Sequence, residues 1–377
     1  MKAAVHRLPA AAPDDVSALL AAIESGAIDP AQILAVLGKT EGNGCVNDFT
    51  RGFAARALKD AIAQASGRSP AEVSAAVAFV MSGGTEGGLA PHWLVFEARP
   101  APPPGDPAAG PRLAVGVAMT RPFLPEEVGR LAQAEATADA VRRAMRDASI
   151  IAPADVHYVQ VKCPLLTHAR IAEAEARGRA VATGDTYASM GMSRGASALG
   201  VALALGEVAP AALSSDAVVC RDFSLWSARA STSSGVELME NQVMVLGNSA
   251  AWQGDLAIGH AVMADALDVG AAASALGSVG IAAAGQLGAA DRARVAAVLA
   301  KAEPSRTGLI RGRRHTMLDD SDINATRHAR ALVGGVLAGV FGDTELFVSG
   351  GAEHQGPDGG GPLAVIARQS RIDPAQS

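Results

Sequence analysis

Apolar runs along the chain alternate with amphipathic stretches, and the alternation recurs three times. A short strand opens each round: Lys2–Leu8, Leu113–Thr120 and Leu256–Ala264. A helix follows over Pro13–Ser25, Pro125–Asp147 and Val269–Ala282. The first begins on Pro13-Asp14-Asp15, with acids at the positive end of the helix dipole. A second apolar strand then ends on a lysine each time: Ile33–Lys39, Val156–Lys162 and Val295–Lys301. After a loop, a second helix begins near an arginine, at Thr50-Arg51, Ser193-Arg194 and Thr326-Arg327. A third strand runs into a serine turn: Ser82-Gly83-Gly84-Thr85-Glu86, Ser233-Ser234-Gly235-Val236-Glu237 and Ser349-Gly350-Gly351-Ala352-Glu353.

This order predicts an α/β fold built from one unit used three times. Two composition breaks separate the copies. One is the stiff proline-rich stretch Arg99–Pro107, the other the softer Gly247–Asp255. The expected units are 1–104, 105–250 and 251–377. Any one motif alone reads blandly, the lysine as a surface cap and the Ser-Gly-Gly as a turn. Their recurrence in one order calls for a shared role.

Composition narrows the function. Of 377 residues nearly half are apolar, and alanine and glycine dominate, as in a core of closely approaching elements. The net charge of −6 and the absence of a basic stripe argue against nucleic acid. The basic cluster Arg311-Gly312-Arg313-Arg314-His315 is either a solvated loop or a contact with substrate or a neighbouring subunit. Cys45, Cys163 and Cys220 fit neither a zinc spacing nor a disulfide framework, and Cys163 is expected to point away from Lys162. With no apolar leader and only interrupted apolar stretches, the expectation is a cytoplasmic protein without membrane spans. No dinucleotide fingerprint follows a strand, and the histidines lack zinc spacing, so no organic cofactor is expected.

A serine hydroxyl needs a neighbouring base to act as a nucleophile. No histidine recurs with the serines, but lysine does. Burial and nearby cations can bring a lysine toward neutral pH, and each unit's arginine is such a cation. The glycine after serine lets a backbone N–H approach a ligand, so hydroxyl and N–H together form a cradle for a carbonyl oxygen. Three such cradles facing inward would grip three carbonyls.

The stretches Gly38–Gly44, Ser82–Gly87 and Ser349–Pro357 resemble cyanuric acid hydrolase and its sister barbiturase. The likeness spans essentially the whole chain. It implies a threefold pseudo-symmetric α/β barrel of three similar domains, with one central active site for hydrolytic opening of a cyclic imide. It also implies a homotetramer. Carried over residue by residue, it makes Ser233 the nucleophile and Lys162 its base. Ser231 is a weaker candidate, because Glu237 aligns with Glu86 and Glu353 only if Ser233 is chosen. Substrate binding is assigned to Lys39, Lys301, Arg51, Arg194, Arg327, Ser82, Gly83, Ser234, Ser349 and Gly350. A structural magnesium or calcium ion is implied in the third unit, held by Glu303 and by Ala352, Gln355, Gly356, Pro357 and Gly359. The three equivalent carbonyls of cyanuric acid suit a threefold site. Barbiturate opening, and a non-catalytic small-ligand binder on the same scaffold, are the other readings.

Overall fold

The computed structural model describes residues 1–102 and 110–369. The first break is described only through Pro102, and the 104/105 boundary lies outside the described residues. The first third carries β1 (Lys2–Pro9), α1 (Ser17–Glu24), β2 (Ile33–Thr40), α2 (Phe49–Ser66), α3 (Pro70–Ala76), β3 (Ala78–Gly83) and β4 (His92–Arg99). Then come β5 (Arg112–Met119), α4 (Leu131–Asp147), β6 (Val156–Pro164), α5 (His168–Ala176), α6 (Thr186–Leu205), β7 (Ala230–Gly235) and β8 (Gln242–Ser249). The last third holds β9 (Leu256–Met263), α7 (Val269–Ser278), α8 (Ala289–Arg294), β10 (Val295–Ala302) and the short hairpin β11 (Leu309–Ile310) and β12 (Arg313–Arg314). It ends with α9 (Ala325–Phe341), β13 (Phe347–Gly350) and β14 (Gly361–Arg368).

Among the described residues the long strands form three separate four-stranded sheets of one design. Their orders are β1-β4-β2-β3, β5-β8-β6-β7 and β9-β14-β10-β13. In each, the first three strands pair antiparallel and the last pair is parallel. Even the irregularity recurs: the lysine strand slips register one residue after its start, at Leu34, His157 and Ala296.

The fourth strand of each sheet, β4, β8 or β14, was not anticipated. It is buried along nearly its whole length, so it lacks the alternation that betrays a half-exposed strand. The opening helices are also shorter than the pattern suggests. Asp15 accepts from the Ala11 and Ser17 amides and holds a turn, so α1 starts only at Ser17. Gly129, at φ 79°, separates a short turn at Pro125–Glu127 from α4. Gly280, at φ 71°, follows the end of α7. The lysine strands run one or two residues past their lysines.

The core has an inner part shared by all three sheets and outer parts under the helices. Ala35 and Leu37 of β2, Tyr158 of β6, and Ala297 and Leu299 of β10 belong to the inner cluster. Val36 instead faces α1 and α2 with Leu19 and Leu58, and Val298 packs outward with Leu276 and Leu337. Side chains alternate along a strand, so Lys39 and Lys301 continue the inward rows of Leu37 and Leu299. The lysines thus arrive at one end of the shared core.

Small residues permit close layering. A Cβ on Gly116 of β5 would lie 1.9 Å from the Ala144 carbonyl oxygen of α4, and one on Gly200 of α6 would lie 2.3 Å from the Ala134 carbonyl oxygen. Gly116→Ala is therefore expected to destabilise by about 1–3 kcal/mol through overpacking. The midpoint of urea unfolding checks it.

Candidate active site

In each sheet the parallel pair sets lysine directly opposite serine: Lys39 with Ser82, Lys162 with Ser233, Lys301 with Ser349. All three lysines and all three serines are buried. The serine hydroxyls converge between the sheets. Ser349 Oγ lies 2.8 Å from Ser233 Oγ and 3.2 Å from Ser82 Oγ. A small cavity opens on this point, lined by the three serines, Gly83, Ser234, Gly350, Arg51, Arg194 and Arg330. Ser231 stands opposite Gln160 and is not part of the lining.

The third arginine of the centre is Arg330, where the sequence pattern pointed to Arg327. Arg327 is 39 % exposed and stands at the rim, whereas Arg330, one turn further along α9, is 5 % exposed and reaches inside. The Thr-Arg dipeptide at 326–327 copies the Thr50-Arg51 step. Three residues along a helix bring the next side chain onto the same face. The basic cluster 311–315 lies away from the cavity on an exposed hairpin, where Arg311 pairs with Asp265 and Arg314 with Asp319.

The glutamate that closes each serine turn was legible only as a repeated letter; in space it binds a neighbouring unit's cation. Glu86 takes Arg330 in a two-pronged pair, with Nε at 2.7 Å and Nη2 at 2.6 Å. Glu353 takes Arg194 in the same way, at 2.8 and 2.6 Å. Glu237 departs from this: its carboxylate lies 2.7 Å from Lys162 Nζ. Arg51 instead donates to the Ser234 carbonyl at 2.9 Å and to the Cys45 carbonyl. The third residue of each turn, a glycine, leaves room for these groups. A Cβ on Gly84 would lie 2.6 Å from Arg330 Nη2, on Gly351 2.4 Å from Arg194 Nε, and on Gly235 2.0 Å from Glu237 Oε2.

The glycine directly after the serine is equally constrained in two units. A Cβ on Gly83 would strike Asp48 Oδ2 at 1.7 Å, and one on Gly350 would lie 2.5 Å from Thr326 Cγ2. In the second unit Ser234 stands there, accepting at Oγ from Arg194 Nη1 at 3.2 Å. Asp48, which sequence reasoning missed, caps α2 at Thr50 N and also accepts from Gly44 N. It thereby ties the loop before α2 to the helix that carries Arg51.

The lysines differ in their partners. Lys162 Nζ donates to the Met81 carbonyl at 2.7 Å. Lys301 Nζ donates to the Thr232 carbonyl at 2.8 Å, the Gly350 carbonyl at 3.1 Å and Ser349 Oγ at 3.2 Å. Met81 and Thr232 each immediately precede a site serine, so each of these lysines reaches into the neighbouring sheet. Lys39 Nζ has no hydrogen-bond partner among the described residues. Burial, then the Arg330 charge, brings it from a lysine's usual 10.5 to about 7. Burial also lowers Lys162, against the pull of Glu237, and carries Lys301 well below its ordinary range. Across from Lys39, His92 is held at about 4 by burial and is neutral. Cys163 faces Ser193 and Ser197 of α6, on the side away from Lys162, and burial raises its thiol.

Behind Arg194 lies Glu303, half-buried, with Oε2 accepting from the Ala352 amide at 3.0 Å. Burial and the nearby Glu353 push its carboxyl up to about 7, while Arg194 outweighs burial at Glu353 and holds it at about 2. The loop 351–360 touches this carboxylate through the Ala352 amide. Gln355 Oε1 accepts from Thr232 N, and Gly356 and Gly359 take left-handed φ of 104° and 75°. Among the described residues no three His, Cys, Asp or Glu side chains cluster as metal ligands, so a cation here would need backbone carbonyls beside Glu303.

Lys39 makes a direct test of these energetics. Its amine is protonated in the unfolded chain up to about pH 10.5 but only to about 7 when folded. The unfolded state thus binds more protons between these values, and stability rises with pH across that window. Lys39→Met removes the buried amine. It is expected to raise the melting temperature at neutral pH, with the gain over wild type shrinking as pH approaches 10.5.

Residues 4–368 match a family described as amidohydrolase ring-opening protein. Cyanuric acid amidohydrolase of Ectopseudomonas oleovorans (strain CECT 5344) is 61% identical over 368 residues, covering 98% of this chain and 100% of that protein. That of Azorhizobium caulinodans is 60% identical over 369 residues, covering 98% and 99%. A crystal structure of the cyanuric acid hydrolase from A. caulinodans superposes with a TM-score of 0.89 at 58% identity, over 98% of this chain and 99% of that one. A second cyanuric acid hydrolase structure, described as an evolutionary innovation by structural concatenation, gives 0.93 at 53% identity, over 97% and 99%. With the match running nearly end to end, the chain belongs to the ring-opening amidohydrolase family.

Proposed function

We propose that this protein is a cyanuric acid amidohydrolase, built as a pseudo-threefold barrel of three similar units around one site. The observation that carries this reading is the convergence of three lysine-opposed serines, with Ser349 Oγ within 3.2 Å of the other two hydroxyls. A ring with three equivalent carbonyls finds three hydroxyls and three guanidinium groups. The relatives quoted above carry the name cyanuric acid amidohydrolase, which favours that substrate over barbiturate.

In the proposed reaction Lys162, once neutral, takes the hydroxyl proton of Ser233, and Ser233 Oγ attacks one ring carbonyl. The Ser82–Gly83 and Ser349–Gly350 cradles and the arginines hold the other two oxygens and disperse developing charge. Collapse of the tetrahedral adduct breaks the ring C–N bond, and the freed nitrogen receives the proton from Lys162. Water then hydrolyses the serine ester to carboxybiuret, which loses carbon dioxide to give biuret. Ser233→Ala is expected to lower kcat at least about a hundredfold. Ser82→Ala and Ser349→Ala should mainly raise KM. Assays on cyanuric and barbituric acid test substrate and nucleophile together; wild-type turnover by Ser233→Ala would overturn the assignment.

A second assignment has one observation in its favour. Lys39 has no partner among the described residues and sits near 7, where a general base works best. On that reading Ser82 is the nucleophile, and Ser82→Ala rather than Ser233→Ala is the inactive variant.

Glu303 and the carbonyls of Ala352, Gln355, Gly356, Pro357 and Gly359 are proposed to hold a structural magnesium or calcium ion. Support comes from the closeness of Glu303 to a second carboxylate, Glu353, since a cation would keep both ionised. Its place would be to fix the loop that carries Glu353 and so orient Arg194. Elemental analysis should find about one divalent ion per chain, and chelation should lower the melting temperature until the ion is restored.

A further inference from the structure

The three units give their glutamates different work. In the first and third, the turn glutamate is taken up by an arginine fork, Glu86 by Arg330 and Glu353 by Arg194. In the second, Arg51 donates to two backbone carbonyls and has Asp48 at 3.8 Å, and Glu237 is left for the lysine beside it, 2.7 Å away. Neither Lys39 nor Lys301 has a carboxylate within ion-pair distance among the described residues; Lys162 alone does.

We propose that Glu237 is a positioning residue for Lys162, aiming its amine along the β6–β7 pair at Ser233 and stabilising the ammonium formed when Ser233 gives up its proton. The inference rests on the reading of Lys162 as base. It supplies a geometric reason for that choice, because of the three lysines only Lys162 has a carboxylate at ion-pair distance among the described residues. The arrangement parallels the acid that orients a catalytic histidine and balances its positive form.

The charged and titratable groups around the pair are few. Lys162 faces Glu237, Arg51 and Cys163, and Glu237 also feels Arg170. Burial disfavours the Glu237 carboxylate, but Lys162 and Arg51 outweigh it and keep the carboxyl low. Burial lowers Lys162 while Glu237 raises it. Removing the carboxylate therefore lets the amine lose its proton at lower pH.

The test is the pH dependence of kcat and kcat/KM for cyanuric acid in wild type, Glu237→Gln, Glu237→Asp and Glu86→Gln. Side-by-side profiles cancel ionisation of the substrate itself. Glu237→Gln keeps the shape and removes the charge. Its kcat is expected to fall about ten- to a hundredfold, and the acid limb of kcat/KM to move about one pH unit or more downward. Glu237→Asp, which keeps the charge, should return the limb toward its wild-type place. Glu86→Gln, which loosens Arg330, should raise KM and leave the limb where it is. An unmoved limb in folded Glu237→Gln, or an equal shift in Glu86→Gln, overturns the inference. Failure of the underlying reading looks different: Ser233→Ala and Lys162→Met would then keep wild-type turnover.

Discussion

Three lysine amines and three guanidinium groups share one water-poor centre, and the rest of the molecule is arranged to make that tolerable. An isolated buried ammonium is strongly disfavoured, and such a group either loses its proton or finds a carboxylate and carbonyls. Both solutions occur within a few ångströms. Arg194 and Arg330 have full carboxylate forks, Lys162 has Glu237, and Lys301 has two carbonyls. Lys39 has none of these, and burial brings it toward neutrality.

The carboxylates serve a second purpose, because they cross between sheets. Glu86 of the first joins Arg330 of the third, and Glu353 of the third joins Arg194 of the second. The lysines cross as well, Lys162 to Met81 and Lys301 to Thr232. The polar site and the shared apolar core beneath it therefore hold the sheets together from two sides. Loss of one glutamate would loosen an interface as well as a side chain, and kinetic readouts separate the two effects better than stability alone.

Repetition supplies the frame, and departures from it supply the chemistry. Strand order, parallel lysine–serine register and the slipped residue near the start of each lysine strand are the same in all three sheets. The differences are single residues. Ser234 stands where the other turns have glycine, Glu237 meets a lysine where its counterparts meet arginines, and a further carboxylate, Glu303, lies behind Arg194.

The sequence alone determined the repeat, the α/β class and the three lysines and three serines of the centre, because these residues recur at strand ends and turns whose local geometry is short-range. It carried Lys39, Lys162, Lys301 and the three serines to their places, since a strand's alternation and its end are local properties. The buried fourth strands escaped it, for a strand covered on both faces has no alternation to read. So did Arg330. Which turn of α9 faces the cavity depends on how that helix docks, and Arg327 copied the local motif without the orientation. Glu86, Glu237 and Glu353 were visible as letters only. Their partners lie more than a hundred residues away in two cases and across a sheet pairing in the third. An ion pair is decided by distance in space, and only the assembled sheets set that distance.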